Sequence, residues 1–291
     1  MIRGFLVVDK PGGITSNAVV ARVRRVTGIK KVGHAGTLDP LATGAMVVAV
    51  GPVTRLIRFI QEQPKEYLAT AQFGVATDTL DADGAVLERE PMRFTETELR
   101  AAATRFVGTI HQIPPMVSAL KHQGRRLYEL ARRGEVVERE ARPVEVFELE
   151  ILSVGPEPYP VVDFRVVCGK GTYVRSLAAD MAAVLGGSAH LTALRRTRIG
   201  SLRVDVIGVG LEDLEEWETR LLSPSDALAD LPAITVGPET AAGVSNGVRF
   251  VGGELVDAPD GQVRVLDDDG ELLAIYRSIG EQAIPEVVLA S

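Results

Sequence analysis

A single acidic residue stands in a loop made almost entirely of small and turn-forming residues. Asp39 lies within Val32–Gly44, a segment that also holds one imidazole, that of His34, two hydroxyls and three glycines. Glycine permits tight turns and close approach of a ligand, and Pro40 restricts Asp39 to extended or turn conformations. Such a loop suits acid–base or nucleophilic chemistry by one carboxylate. An Asp-Pro dipeptide alone, however, favours an ordinary turn.

Two other segments carry residues that could assist a carboxylate. The segment Gly169–Ser176 contains Tyr173 and Arg175, and Tyr67 follows Lys65-Glu66. A carboxylate in a pocket that excludes water needs a nearby cation to stay ionised, which an arginine can supply. Taken singly, the arginine also fits an exposed helix face and the tyrosine fits the rim of a core.

The elements that must position these residues follow from periodicity and turn signals. The patterns predict strands at Phe5–Val8, Ala45–Val50, Glu66–Phe73, Val144–Val154 and Val161–Cys168. They predict helices from Thr15 or Ser16 to about Thr27, from the capping box Thr95–Glu98 to near Gly108, over Arg125–Arg133, and over Thr172–Leu185. Beyond about residue 230 short β-like runs follow, with a hairpin around Asp268-Asp269-Gly270.

Composition indicates a globular protein that works in a reducing compartment. Hydrophobic residues make up 46% of the 291 positions, and Cys168 is the one cysteine, so no intrachain disulfide is possible. The apolar run at Phe5–Val8 is too short for a signal-peptide core, and Leu41–Thr54 falls short of a membrane span. We therefore expect a soluble, cytoplasmic protein.

Charge is distributed unevenly along the chain. Residues 1–203 carry 28 Lys and Arg against 21 Asp and Glu, a net charge of +7, whereas residues 204–291 carry 4 against 18, a net charge of −14. The first part could follow a phosphate backbone and the second should be repelled by one. Acidic surfaces also simply aid solubility.

The sequence shows no signature of a cofactor or a metal. It has no phosphate-binding or dinucleotide-binding glycine motif, and its four histidines and one cysteine lack metal-ligand spacing. Asp81, Asp83, Gly84 and Glu90 match four positions of a calcium-binding loop, but Thr79 would be a poor first ligand. We expect a polar turn there, and no cofactor or metal.

The segment around Asp39 resembles the catalytic loop of the bacterial tRNA pseudouridine synthase B (TruB) family, which includes the dyskerin-type enzymes. Further similar motifs are Lys10-Pro11, Lys65-Glu66-Tyr67, Gly169–Ser176 and Leu191–Arg196. The resemblance covers about residues 5–205. It implies isomerisation of uridine to pseudouridine at position 55 in the T-loop of tRNA, by base flipping, cleavage of the glycosidic bond and rejoining through C5.

The resemblance also implies roles for individual residues. Asp39 would be the catalytic carboxylate, as a nucleophile or as a base at C2′, with Arg175 as its ion-pair partner. Tyr67 would stack on the flipped base and handle the C5 proton, and Tyr173 and Leu194 would line the base pocket. His34 would fill the space left by the base. Lys10 would brace the loop.

A basic stretch resembles the thumb segment with which the family clasps the T-arm. We call residues 114–142 the thumb; its basic side chains are Lys121, Arg125, Arg126, Arg132, Arg133, Arg139 and Arg142. Of these we predict Lys121, Arg125 and Arg126 as RNA-binding. Interspersed glutamates make a solvated, salt-bridged helix the alternative.

The implied fold is the α/β (α+β) pseudouridine synthase fold, a mixed, mainly antiparallel sheet flanked by helices. Residues 1–230 would form the catalytic domain and 231–291 a small β-rich, PUA-like module whose acidity argues against a large share in RNA binding. We expect a monomer that acts on tRNA at the T-arm and elbow without an obligatory protein partner or a membrane. Two alternatives are a tRNA-folding chaperone in which catalysis is secondary, and a dyskerin-type subunit guided by RNA and partner proteins.

Overall fold

The computed structural model describes residues 2–118, 120–122, 124–127, 130, 133–135, 137–253, 255–256 and 259–289. In the first part of the chain the elements are β1 (Gly4–Lys10), α1 (Ser16–Thr27), β2 (Val32–His34), β3 (Thr43–Val50), a 3₁₀ helix (Gly51–Leu56), α2 (Ile57–Glu62), β4 (Lys65–Phe73), β5 (Val75–Thr77), β6 (Val86–Arg89), α3 (Glu96–Thr104), β7 (Gly108–Gln112), β8 (Lys121–His122) and β9 (Arg125–Arg126).

The second part of the chain continues with β10 (Arg142–Val154), β11 (Val161–Cys168), α4 (Val174–Val184), β12 (Ala189–Ile199), β13 (Leu202–Arg203), α5 (Val204–Ile207), β14 (Val209–Gly210), a 3₁₀ helix (Leu214–Glu216), α6 (Trp217–Arg220), α7 (Pro224–Ala227), β15 (Ala233–Thr235), α8 (Pro238–Ser245), β16 (Phe250–Val251), β17 (Gly261–Leu266), β18 (Leu272–Ile279) and β19 (Gln282–Val288).

These elements form two compact units. Unit 1 contains the residues up to Asp39, Gly44–Gln63 and the chain from Arg198 onward, and unit 2 contains Pro40–Thr43 and Pro64–Thr197. The chain thus leaves unit 1 directly after Asp39. The site residues are therefore described unit by unit.

The first sheet of unit 1 is mixed. Strand β1 pairs antiparallel with β3 along its whole length, from Gly4 opposite Val50 to Lys10 opposite Gly44, and parallel with β14. One face of these strands buries Leu6, Val8, Met46 and Val48 against the apolar stripe of α1. Thr15 caps that helix by accepting a hydrogen bond from the N–H of Ala18, and Gly28 ends it in the left-handed conformation.

The acidic C-terminal part of unit 1 forms a second sheet, in the order β15-β17-β18-β19-β16. The predicted hairpin is its β17–β18 pair, and the fold is therefore the mixed α/β architecture with a β-rich C-terminal region that the sequence predicted. Leu272, Ile275, Val287 and Leu289 of this region share one buried cluster with Phe5 and other residues of the first sheet. The boundary near residue 230 stays a prediction.

The sheet of unit 2 is antiparallel through the pairs β4–β11, β11–β10 and β10–β7, and it carries β12 beside β4. Helix α4 lies against it with Val174, Leu177, Ala178, Met181 and Ala182 buried. The capping box predicted at Thr95–Glu98 is present at the start of α3. The last two residues of β12, 198 and 199, belong to unit 1. The chain therefore passes from unit 2 to unit 1 within this strand.

Two sequence predictions about helices were wrong in part. Helix α3 ends at Thr104 rather than near Gly108, because Gly108 already begins β7. Arg125 and Arg126 are not the first turn of a basic helix; they pair with Lys121 and His122 in a small hairpin, in which Gly124 takes a positive φ of 84°. In the rest of the predicted range, helical backbone is described at Leu127 and Leu130, and residues 128, 129, 131 and 132 lie outside the described residues. A glycine in a left-handed conformation favours a tight turn over a continuous helix.

Within the described ranges, no helix combines the length and the apolar character that a membrane crossing requires.

Candidate active site

The loop that carries Asp39 is anchored by strand pairing at both ends. At its start His34 in β2 pairs with Val48, and at its end Gly44 in β3 pairs with Lys10. Between these anchors the N–H of Ala35 donates to the Val47 carbonyl at 2.9 Å. Strands of unit 1 therefore hold the loop at both ends, and Asp39 lies in it half-buried.

A serine on α1 holds the residue directly before Asp39. The Ser16 hydroxyl accepts from the N–H of Leu38 at 2.9 Å and donates to the Leu38 carbonyl at 3.0 Å. Both residues are buried, with 4% and 3% of their surfaces exposed. From the sequence, Ser16 was expected only at the start of the first helix; in the structure Thr15 caps that helix and Ser16 fixes the loop. The spacing of 22 residues gave no local signal for this contact.

His34 has a defined hydrogen-bond role in the loop. Its Nδ1 accepts from the N–H of Gly36 at 3.2 Å, so in the neutral ring the proton is on Nε2. The ring is half-buried. An imidazole held this way can present a donor to RNA, as the resemblance implies; that role stays a prediction.

Lys10 lies at the end of β1 with its surface 0% exposed. Its ammonium group donates to the Pro11 carbonyl at 3.0 Å. Burial of a charged group is costly unless it is satisfied by hydrogen bonds or ion pairs, so the position is built for this side chain. The backbone of Lys10 pairs with Gly44 at the end of the loop; its roles as a brace and in substrate binding stay predictions.

In unit 2, Arg175 occupies the second position of α4 and is almost fully buried. Its guanidinium donates to the Thr79 carbonyl and to the Val117 carbonyl, each at 2.8 Å. It also forms an ion pair with Asp81, with Nη1 3.1 Å from Oδ2 and side-chain exposures of 3% and 7%. These contacts fix the planar fork of the guanidinium in one orientation. Pairing of Arg175 with Asp39 stays a prediction.

Asp81 is a site residue that sequence analysis assigned to a polar turn. Its Oδ1 accepts from the Thr79 hydroxyl at 2.5 Å and from the N–H of Asp83 at 3.2 Å. Its backbone bridges to Leu191. The carboxylate is thus committed to its own turn and to Arg175. In the described part of the chain no group of three or more His, Cys, Asp or Glu side chains is arranged to hold a metal ion.

Tyr173 precedes α4, where its backbone is held by a buried glutamine. The N–H of Tyr173 donates to Oε1 of Gln112 at 2.8 Å, and Nε2 of Gln112 donates to the Tyr173 carbonyl at 3.0 Å. Gln112 is 2% exposed and was not singled out from the sequence. The tyrosine itself is half-buried.

Tyr67 and Leu194 lie on strands of the same unit. Tyr67 is half-buried on β4 and pairs with Val166 of β11. Leu194 on β12 lines a cavity of about 420 Å³ together with Leu41 and Thr43, which come shortly after Asp39 in sequence. The role of Leu194 as a wall of the base pocket stays a prediction.

The thumb residues are described in part. Lys121 and Arg126 pair through their backbones, and Arg125 is exposed. Arg139 donates to the Pro114 carbonyl at 3.0 Å and thereby connects the two ends of the segment. Arg132 lies outside the described residues. The segment is bounded by the strand pair Gln112–Arg142, so its two ends meet at the edge of the sheet.

A buried thiol lies next to the GKGTYVRS segment. Cys168 is 1% exposed, and its removal from solvent raises the pKa of the thiol to about 11. A hydrogen bond with Thr172 and the positive charges of Lys65 and Arg196 lower this pKa, but their effect is smaller. The thiol is therefore neutral at physiological pH and unsuited to nucleophilic chemistry.

Comparisons of the sequence with a family model and with known proteins agree on one family. Residues 24–174 match the model described as "TruB family pseudouridylate synthase (N terminal domain)". The chain is 45% identical over 95% of its length to tRNA pseudouridine synthase B of Moorella thermoacetica, covering 94% of that protein. It is 49% identical over 85% of its length to tRNA pseudouridine synthase B of Symbiobacterium thermophilum, covering 83% of that protein.

A solved structure shares the fold over nearly the whole chain. A chain in the crystal structure of a Cbf5–Nop10–Gar1 complex superposes with a TM-score of 0.76 at 26% identity, covering 98% of this chain and 84% of that one. The mixed α/β fold with a β-rich C-terminal region and its likeness to that structure place the chain in the pseudouridine synthase class. The chain belongs to the TruB family of pseudouridylate synthases.

Proposed function

We propose that this protein isomerises uridine to pseudouridine at position 55 in the T-loop of tRNA, acting without an obligatory protein partner. The observation that carries the proposal is the 45% identity, over 95% of the chain, to a protein named tRNA pseudouridine synthase B. The segment around Asp39 lies inside the region that the family model matches.

The reaction requires a carboxylate beside the bond that joins the ribose to the base. It breaks the N1–C1′ bond, turns the base and forms a C5–C1′ bond, so the product has the composition of the substrate. We assign the carboxylate to Asp39, either attacking the sugar or removing the C2′ proton. The hydrogen bonds to Leu38 and the strand pairing at both ends of the loop favour a fixed direction for the carboxylate. A fixed direction lowers the entropic cost of reaching the reactive geometry.

The other residues are given supporting roles. Arg175 supplies a positive charge that is buried and rigidly oriented, which favours stabilisation of a developing negative charge. Tyr67 would stack on the extruded base and receive or return the C5 proton. Tyr173 and Leu194 would shape the base pocket, and His34 with Lys10 would contact or support the RNA loop.

Binding of the remaining tRNA is assigned to the thumb. Arg125 is exposed, and Lys121 and Arg126 pair through their backbones in the same hairpin, so we assign phosphate contacts to this hairpin. Residues 204–291 would contribute little to this binding, because their 18 acidic side chains, against 4 basic ones, repel phosphate.

The test uses an unmodified tRNA transcript, the purified chain and no added partner, cofactor or metal. Pseudouridine is mapped by base-specific chemistry and primer extension. We expect one product, at the T-loop uridine, with wild-type protein and none with Asp39→Asn. Asp269→Asn, the same substitution in an exposed hairpin turn of unit 1, serves as the matched control and should be fully active.

Three outcomes would contradict parts of the proposal. Product formed equally by Asp39→Asn would remove the carboxylate from the mechanism. Product at another position would overturn the site assignment. Bound tRNA without any product would favour the chaperone alternative or a missing partner.

A further inference from the structure

The thumb and the start of helix α4 meet at one buried side chain. Gln112 is the last residue of β7 and pairs with Arg142, the first residue of β10, so it stands at the point where the thumb leaves the sheet. Only 2% of its surface is exposed. A glutamine buried to this extent is stable only when both its donor and its acceptor are satisfied.

The Gln112 amide satisfies both groups on the backbone of a single residue, Tyr173. Its Oε1 accepts from the N–H of Tyr173 at 2.8 Å, and its Nε2 donates to the carbonyl of Tyr173 at 3.0 Å. The side chain thus exchanges two hydrogen bonds with the backbone of Tyr173, as a residue of a neighbouring antiparallel strand would. Tyr173 is the N-cap residue of α4 and makes no side-chain capping bond, so the glutamine fixes the helix entry in its place.

Two more bonds tie the same stretch to the first turn of α4. The Ser176 hydroxyl donates to the Ile113 carbonyl at 3.2 Å, and the Arg175 guanidinium donates to the Val117 carbonyl at 2.8 Å. Consecutive positions of one helical turn therefore hold the chain that follows Gln112. Of these residues, Arg175 carries the buried positive charge, and Tyr173, two residues earlier, is assigned to the base pocket.

We propose that Gln112 is a positioning residue for the reaction: through the backbone of Tyr173 it fixes where the tyrosine ring lies. The inference rests on the proposed function for its activity readout. It assigns to Gln112 no contact with substrate. Its action runs through the backbone of one residue, which gives it a distinct experimental signature.

The test compares Gln112→Met with wild type on the unmodified tRNA transcript. Methionine has a similar length and no branch, but it cannot form the two hydrogen bonds with the backbone of Tyr173. We expect kcat to fall roughly ten- to a hundredfold, in keeping with the loss of two hydrogen bonds to a buried peptide, with KM changed less than about threefold. Gln72→Met is the matched control, because Gln72 donates to the carbonyl of another tyrosine, Tyr159, at 2.6 Å outside the site.

A double-mutant cycle separates positioning from a general structural role. If Gln112 acts through Tyr173, the loss caused by Gln112→Met should shrink to less than about threefold in the Tyr173→Ala background. Equal losses in both backgrounds would overturn the inference. Ser176→Ala removes one hydrogen bond, from the first turn of α4 to the Ile113 carbonyl, and should also lower kcat. It replaces Gln112→Met if that variant does not fold.

Hydrogen exchange gives a readout that needs no activity. The amide of Tyr173 should exchange at least tenfold faster in Gln112→Met, while the amide of Phe164 in the middle of β11 keeps its wild-type rate. Unchanged exchange at Tyr173 would overturn the inference. Wild type without product, combined with faster exchange in the variant, would overturn the proposed function and leave the positioning geometry supported.

Discussion

The hydroxyl of Ser16 exchanges two hydrogen bonds with the backbone of Leu38, one through its oxygen at 2.9 Å and one through its proton at 3.0 Å. This contact joins the first turn of α1 to the residue that precedes Asp39. Local hydrogen bonding by serine normally satisfies its own helix terminus. Here Thr15 satisfies that terminus, and the serine is available to fix the loop.

Ser16→Ala should therefore impair catalysis more than binding. It leaves the N–H and carbonyl of Leu38 without the serine partner in a buried position, at a cost of about 1–3 kcal/mol per unsatisfied group. We expect kcat to fall by roughly tenfold or more, with KM for tRNA close to wild type. Ser201→Ala, which removes an exposed hydroxyl bound to Asp230, is the control and should be neutral. An unchanged kcat would show that the strand anchors alone hold the loop.

The Arg175–Asp81 pair predicts a combined loss of stability and activity. Removing one partner of a buried pair typically costs about 3–5 kcal/mol, far more than an exposed pair contributes. Asp81→Asn keeps the size of the side chain but removes the charge that faces the guanidinium. We expect a clearly lower urea midpoint and a loss of kcat. Glu150→Gln, in an exposed pair with Arg165 at 3.3 Å, should change the midpoint little. Similar midpoints for both variants would contradict this.

Much of the fold was predictable from local patterns. The strand at Val161–Cys168 and the helix that ends at Thr27 agree with the predicted bounds, because alternation and capping signals are encoded within a few residues. The capping box at Thr95 was equally local. Arg125 and Arg126 were predicted as the start of a helix over Arg125–Arg133, but they form one strand of a hairpin, because Gly124 favours a turn directly before them.

The site was predictable only where a motif resemblance existed. Asp39, Arg175 and Tyr173 stand in such motifs, whereas Ser16 and Gln112 reach partners 22 and 61 residues away. Nothing in the sequence near Gln112 indicates which peptide it will bind. The charge of Asp81 was visible, but its partner Arg175 comes from a different element. Contacts of this kind are set by tertiary packing, which one sequence does not encode locally.

Substitution of two thumb arginines, Arg125 and Arg126, should change the salt dependence of binding. Each phosphate contact contributes roughly 0.7–0.9 to the slope of log Kd against log salt concentration. Arg125→Ala with Arg126→Ala should weaken tRNA binding and reduce this slope by roughly one to two. Arg89→Ala with Arg105→Ala, which removes two exposed arginines elsewhere in unit 2, is the control. A slope equal to that of wild type would exclude phosphate contacts by the hairpin.

Removal of the C-terminal region should destroy the fold of unit 1 rather than test RNA binding. Leu272, Ile275, Val287 and Leu289, all at most 8% exposed, lie in the same buried cluster as Phe5. Truncation after residue 230 would expose that cluster to water, at roughly 25 cal/mol for each Å². We expect no cooperative urea transition from the truncated chain. A chain that folds cooperatively would show that the C-terminal sheet is a dispensable module.

The buried thiol predicts how stability depends on alkaline pH. The pKa of Cys168 is about 11 in the folded protein against an ordinary 9.0, chiefly because burial disfavours the thiolate. Between these values the unfolded chain loses the proton while the folded chain keeps it, so the folded state is progressively disfavoured as pH rises from about 9. The slope of unfolding free energy should approach about −1.4 kcal/mol per pH unit relative to Cys168→Ala, a variant that subtracts the titration of lysines and tyrosines. Urea unfolding of both proteins at pH 8, 9 and 10 measures it, and parallel curves would contradict the burial of a neutral thiol.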